Sequence, residues 1–227
     1  MVDGGSTRYV PPGTFPVHTV PLGGLPTPFE PPVFLPAAEG DEVLTGRCES
    51  VAELDAVFGT RGAAAHCWCQ FDRMPVSQFQ TLDDAHRRDM LETELHQWPA
   101  PGVIATLGGE RVGWCSVAPR SRFSRLRTGA TTSSATAADD PSVWSVTCFV
   151  VRPGYRRRGV AAALLAGAVD HARSGGAGWL EAYPVDATGR RESAADLYRG
   201  TLSLFRSGGF EIVARPRPGR AIVRLEL

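Results

Sequence analysis

Read from its N-terminus, the chain shows no periodic apolar pattern until residue 50, and the regular elements expected from it start there. Ser50-Val51-Ala52-Glu53 has the form of a capping box opening a short helix to about Phe58. His66 to Phe71 (HCWCQF) is apolar and aromatic, and reads as a strand. Thr81 to Trp98 reads as one helix, with Asp83 and Asp84 at its start and Met90, Leu91, Leu95 and Trp98 on one face. Val103 to Leu107, Gly108-Gly109 and Arg111 to Val117 form a predicted hairpin. Val143 to Val151 (VWSVTCFVV) is an almost unbroken apolar run, the pattern of a strand covered on both faces. An Ala/Leu-rich helix from Gly159 to Arg173, stopped by Gly175-Gly176, is followed by a strand from Gly178 to Tyr183. Ser193 is placed to cap a helix running to Arg206, and Phe210 to Ala214 and Ala221 to Leu227 finish as strands. This order predicts an α/β domain over residues 41–227, with a mixed, mainly antiparallel central sheet flanked by helices.

Two segments fall outside that pattern. Residues 1–36 hold 9 of the 18 prolines, and a chain so rich in Pro favours extended conformations over helix or central strand. Residues 1–40 therefore read as a Pro-rich N-terminal arm. Two readings stay open for it: a disordered tail, or an arm laid on the domain or on a second subunit through Phe15, Phe29, Val33, Phe34 and Leu35, which would suit a homodimer. Residues 119–141 form a long loop bearing Arg120, Arg122, Arg125 and Arg127, placed either to meet an anionic ligand or to stay solvated.

Composition narrows the function. With 24 basic and 24 acidic residues and a pI near 7.0, the chain lacks the basic excess of a general nucleic-acid binder. It has no apolar run long enough to cross a membrane, and its first residues lack the blocks of a secretion signal, so the cytoplasm is the expected compartment. Five cysteines are too few for a disulfide scaffold. Cys67, Cys69, Cys115 and Cys148 lack the paired spacing of a structural zinc site and read as buried small apolar residues, with no metal expected. Every basic residue is Arg, so a Walker phosphate loop and a lysine Schiff base are both excluded.

The chemistry concentrates between the predicted buried strand and the helix after it, in Val151-Arg152-Pro153-Gly154-Tyr155-Arg156-Arg157-Arg158-Gly159-Val160-Ala161. A helix start offers unpaired backbone N–H groups and the positive end of the helix dipole. Small residues at Gly159 and Ala161 let a phosphate approach, and three arginines add positive charge, so the segment suits a diphosphate.

Arg156, Gly159 and Ala161 match the acyl-CoA signature of the GNAT N-acetyltransferase superfamily, and the stretch resembles that family closely. Val151-x-Pro153-x-Tyr155 and Leu204-Phe205-Arg206-Ser207-Gly208-Gly209-Phe210 match in order and spacing as well. The likeness is specific over residues 143–215. His66 to Arg73, Gly113-Trp114-Cys115, Pro119-Arg120 and Trp144-Ser145-Val146 look like a branch whose acceptor varies. The resemblance implies a GNAT-like acyl-CoA N-acyltransferase fold and direct transfer of an acetyl group from acetyl-CoA to a primary amine of a small molecule or peptide. It implies that the strand through Phe149, Val150 and Val151 splays from its neighbour and meets the pantetheine arm. It also implies that Arg156, Arg157, Arg158, Gly159, Val160 and Ala161 hold the diphosphate.

Two positions depart from the family pattern. Phe205 stands where members commonly carry a Tyr that protonates the departing thiolate, and Tyr198 stands where an Asn is usual. On one continuous helix Tyr198 and Phe205 would be about two turns, ~10.5 Å, apart. Tyr198 and Thr201 are the candidate hydroxyls left nearby. Glu181 is the leading general base; its other reading is an exposed strand charge, or a partner for Arg190 or Arg191. His66, Cys148 and Glu192 are weaker bases, and His171 reads as a surface residue. A second function stays open beside transfer: an acyl-CoA-binding regulatory protein with little or no transferase activity. A third is a partner-docking domain that uses the arm.

Overall fold

A computed structural model describes residues 42–129, 132, 140–188 and 196–227; the Pro-rich arm and Ser193 lie outside them. The elements in chain order are β1 (Leu44–Arg47), α1 (Val51–Phe58), α2 (Ala63–Cys67), α3 (Val76–Thr81), α4 (Asp84–Leu95), β2 (Gly102–Leu107), β3 (Glu110–Pro119), α5 (Ser124–Thr128), β4 (Val143–Val151), α6 (Val160–Ser174), β5 (Trp179–Ala182), α7 (Leu202–Ser207), β6 (Glu211–Arg217) and β7 (Arg220–Glu226). One seven-stranded sheet runs β1-β2-β3-β4-β5-β7-β6, antiparallel throughout except for the parallel pair β4–β5. Among the described residues no helix is long and apolar enough to cross a membrane.

The long apolar runs were legible because burial wrote them. From Val143 to Cys148 every residue of β4 is buried. α6 covers one face with Leu164, Leu165, Ala168 and Ala172, spaced to put one helical stripe on the sheet. Full burial of a side chain such as Leu164 contributes about 1.5–3 kcal/mol.

Five expectations need correction. The sheet begins earlier than expected: β1 is solvent-facing along its whole length and joins β2 through backbone pairing, so it has no apolar alternation to read. Residues 66–71 are not a strand. The alanines at 63–65 carry α2 to Cys67, and Trp68 and Cys69 then turn the chain with φ of 48° and 53°. Trp68 stacks on Phe58 with ring centres 4.7 Å apart. The expected helix 81–98 is shorter, and a separate helix precedes it: α3 ends at Thr81 and Leu82 is extended. α4 then starts after Asp83, whose carboxylate accepts the His86 N–H at 2.9 Å, and stops at Leu95. The expected helix 193–206 is also broken. A 3-10 turn, Asp196–Arg199, ends at Gly200 (φ 78°), and Thr201 restarts the chain as the N-cap of α7. At the expected capping box Ser50 is the N-cap without a side-chain bond, and Glu53 accepts the N–H of Glu49 at 2.8 Å.

Candidate active site

β4 and β5 pair for only four residues, Val143↔Trp179 through Val146↔Ala182; β5 then ends while β4 continues to Val151. A bulge at Thr147 marks the point of parting: Ser116 pairs with Cys148 and Val117 with Val146, leaving Thr147 as the extra residue of β4. Beyond it β4 stays paired to β3, and the Arg152 N–H donates to Val112 O at 3.0 Å. In an antiparallel ladder successive residues aim their amides at alternate edges. Arg152 and Val150 therefore face β3, while Phe149 and Val151 face the edge that β5 has left.

The chain leaves β4 through a 3-10 turn, Pro153–Tyr155, into the arginine loop. Arg156, Arg157 and Arg158 are all exposed. Arg156 Nε donates to Val151 O at 3.3 Å, and the guanidinium groups of Arg152 and Arg158 lie 5.2 and 5.5 Å from the Tyr155 ring centre. Gly159 is the N-cap of α6 at φ 81°, a conformation that costs most side chains ~1–2 kcal/mol. A Cβ there would meet nothing within 4 Å, so the space before the helix is open. The first bond of α6 runs from Ala163 N to Gly159 O, which leaves the amides of Val160, Ala161 and Ala162 without an intrahelical acceptor. Gly159 has no side chain to cap them. Open amides, a positive helix end and three arginines fit a diphosphate, and the amides of Phe149 and Val151 continue the same edge.

The hydroxyl-bearing residues are arranged differently from their sequence spacing. Phe205 is fully buried in an aromatic cluster, 5.9 Å from Phe149 and 5.1 Å from Phe210 between ring centres. A Cβ on Gly200 would come within 2.9 Å of Phe205 and 3.2 Å of Phe149, so this cluster also fixes the break in the helix. Tyr198 lies before that break and shares no helix with Phe205. It packs on the other sheet face, against the cluster that contains Cys148. Its Oη accepts Arg199 Nε–H at 2.8 Å, and Arg199 Nη2 is paired with Asp72. Burial raises the Tyr198 phenol above its ordinary value, against the opposing Arg199 cation. Thr201 Oγ1 accepts the Leu204 N–H at 3.3 Å and lies 3.0 Å from Ser203 Oγ.

Glu181 is not exposed, and its other expected partners, Arg190 and Arg191, lie outside the described residues. It is fully buried. Tyr183 Oη donates to its Oε1 at 2.5 Å, Arg224 Nη2 donates to Oε2 at 2.6 Å, and Arg120 Nε lies 3.6 Å from Oε1. Burial, with the Glu181 charge beside it, pushes the Tyr183 phenol well up.

The expected loop is helical in its first part, a 3-10 turn over Arg120–Arg122 and then α5, and its arginines do not form one basic patch. Arg120 is buried against Glu181, Arg122 donates to Pro99 O and Trp98 O, and Arg125 lies 3.7 Å from the Phe71 ring centre. His171 is not a surface residue: it is half-buried between Trp98 and Trp144, its Nε2 3.0 Å from Ala100 O, and burial lowers its pKa. Four of the five free cysteines are buried, as expected of small apolar residues. Burial pushes the half-buried Cys67 thiol up to about 11. Among the described residues no group of three or more His, Cys, Asp or Glu is placed to hold a metal ion. Sequence reasoning did not join Asp72 and Arg199 to Tyr198. Asp72 and Arg199 are 127 positions apart, so no local pattern joins them.

The model of the acetyltransferase (GNAT) family matches residues 68–199. Two solved structures resemble the chain at a TM-score of 0.50 and 17% identity over 82% of its length. One is yncA from Salmonella typhimurium with its cofactor acetyl-CoA, covered over 94% of its own chain. The other is a GCN5-related N-acetyltransferase from Kribbella flavida, covered over 98%. At that identity the likeness is one of fold. No match is found among curated proteins.

Proposed function

Because the chain belongs to the acetyltransferase (GNAT) family, we propose that it moves an acetyl group from acetyl-CoA directly to a primary amine of a small molecule or peptide. The observation that carries this reading is the β5-side edge of β4 beyond Val146, which pairs with no strand among the described residues. Two outward amides there, those of Phe149 and Val151, lead to the uncapped start of α6. In this reading Val160 and Ala161 hold the diphosphate through their amides, with Gly159 keeping the approach open and Arg156, Arg157 and Arg158 supplying charge. Phe149, Val150 and Val151 line the pantetheine arm, and an outward amide of β4 orients the thioester carbonyl. Acetyl-CoA, when bound, supplies the activated acyl group.

Tyr198 is the hydroxyl we assign to protonate the leaving sulfur, since Phe205 has none. Thr201 supports it by starting α7 where the aromatic cluster requires. Glu181 has both oxygens engaged, so we assign it to act on the acceptor amine through Tyr183, whose hydroxyl it accepts. The five free thiols suit the reducing cytoplasm.

The test is consumption of acetyl-CoA by excess protein against a panel of primary amines, with released CoA thiol measured. Turnover with at least one amine is expected. Binding without turnover across the panel would favour the regulatory alternative, which the fully apolar surroundings of Phe205 keep in view.

A further inference from the structure

Arg199 joins parts of the chain that no local pattern connects. Its Nη2 is paired with Asp72 on the turn after α2, and its Nε donates to Tyr198 Oη at 2.8 Å. Its guanidinium carbon lies 5.2 Å from the Tyr198 ring centre and 5.8 Å from that of Tyr183. Asp72 is 3% exposed and the Arg199 side chain 11%. A buried ion pair is a poor device for stability alone, because desolvating both charges offsets most of their attraction. Its use here is positional.

Arginine carries donors and no acceptor, whereas a phenol carries one proton and two lone pairs. At the Arg199–Tyr198 contact Tyr198 is therefore the acceptor, and its own proton must point elsewhere. Tyr198 packs against the core cluster that contains Cys148, a residue of β4 past the end of β5. We propose that Asp72 and Arg199 are positioning residues: Asp72 holds Arg199, Arg199 fills a lone pair of the Tyr198 oxygen, and the phenol proton is left to donate into the opening beside β4. This rests on the acyl-transfer reading above. The amine nitrogen bonds to the acyl carbon, the carbon–sulfur bond breaks with its electron pair staying on sulfur, and the Tyr198 proton passes to that sulfur. The tyrosinate left beside Arg199 is reprotonated by the proton the amine nitrogen gives up, returned by way of the Glu181–Tyr183 pair.

The charged and titratable groups acting on the Tyr198 phenol are Arg199, Asp72 and Cys148. Arg73 and Arg125 act on Asp72 from behind. The first arm of the test uses the full chain without ligand: alkaline titration of the phenol by ultraviolet difference spectroscopy. Subtracting Tyr198→Phe isolates one of the four tyrosines. Arg199→Gln removes the cation and is expected to raise the Tyr198 titration, while Asp72→Asn removes the opposing charge and lowers it. Arg199→Lys keeps the charge and holds the shift near wild type. Should Arg199→Gln not fold, Asp72→Asn is nearly isosteric and carries the same readout.

The second arm is turnover. Tyr198→Phe is expected to lower kcat ~100-fold, at the low end of general acid catalysis. Arg199→Gln should lower it about 10- to 100-fold with KM for acetyl-CoA little changed, and adding it to Tyr198→Phe should cost nothing more. Losses that multiply in the double variant, or a phenol titration unmoved by both charge changes, would overturn the proposal while wild-type turnover leaves the transfer reading standing. Absence of wild-type turnover with every amine overturns that reading, and with it the proton donation.

Discussion

Under α6 and α7 the sheet is covered by Val117, Val146, Leu164, Leu180, Phe205 and Val223, all apolar, and none of the buried charged residues belongs to that cluster. On the opposite face Glu181 is held by Arg120 and Arg224, Asp72 by Arg199, and Arg73 by Glu94. Both faces carry apolar clusters, but the second adds buried ion pairs that the first lacks. Apolar contact is non-directional and proportional to area, so it fixes where α6 sits and leaves its N-terminal amides to point out of its end. Charge-assisted hydrogen bonds fix angles as well as positions. On the function proposed above, the first face would carry the cofactor, and the second would orient polar groups toward an acceptor and its protons.

The strongest way to break this contrast is on the charged face. Glu181→Ala leaves Arg120 and Arg224 without the carboxylate they share and should cost about 3–5 kcal/mol in urea unfolding. A loss under ~1 kcal/mol would show that the buried ions hold little there. On the apolar face Leu164→Ala removes a fully buried side chain and should cost about 3 kcal/mol, because the cavity it leaves adds to the lost transfer energy. Its expected signature is insensitivity to salt, measured as equal losses at low and high ionic strength. Gly159→Ala should cost ~1–2 kcal/mol through its left-handed backbone alone, since a Cβ there meets open space. A larger loss would mean that the loop packs more tightly than described.

The smallest effect concerns His171. Burial holds its pKa below the ordinary 6.5 in the native protein, so as pH falls the unfolded chain takes up that proton first. The stability it contributes is complete above about pH 6.5 and declines as pH falls towards the lowered native value. His171→Gln should flatten the dependence of the urea midpoint on pH across that window. An unchanged slope would place the titration elsewhere.

What the sequence revealed follows the same division. The apolar face was readable from residues 143–173, because a strand covered on both sides and an Ala/Leu-rich helix each leave a continuous local pattern. The loop proposed to hold the diphosphate stood out for a similar reason: its arginines and glycine lie in consecutive residues. The charged face was not. Glu181 was noticed as a strand carboxylate, but its partners Arg120 and Arg224 come from a loop and a late strand, and only the fold brings them together. Tyr198 and Phe205 are spaced as if on one helix, and the contact of Gly200 with two phenylalanines, which breaks that helix, is a tertiary fact. β1 was missed because its pairing is made by backbone and its side chains face solvent.

The measurement that bears most directly on the account is calorimetric titration of acetyl-CoA into the wild-type chain and into an Arg156→Ala/Gly159→Glu variant. A carboxylate set before the uncapped end of α6 would compete for the same amides and repel the diphosphate. The account predicts micromolar binding by the wild type, about −8 kcal/mol, and its loss in a variant that still unfolds cooperatively. Equal binding by both proteins, or none by the wild type, would contradict the assignment of this loop to the cofactor.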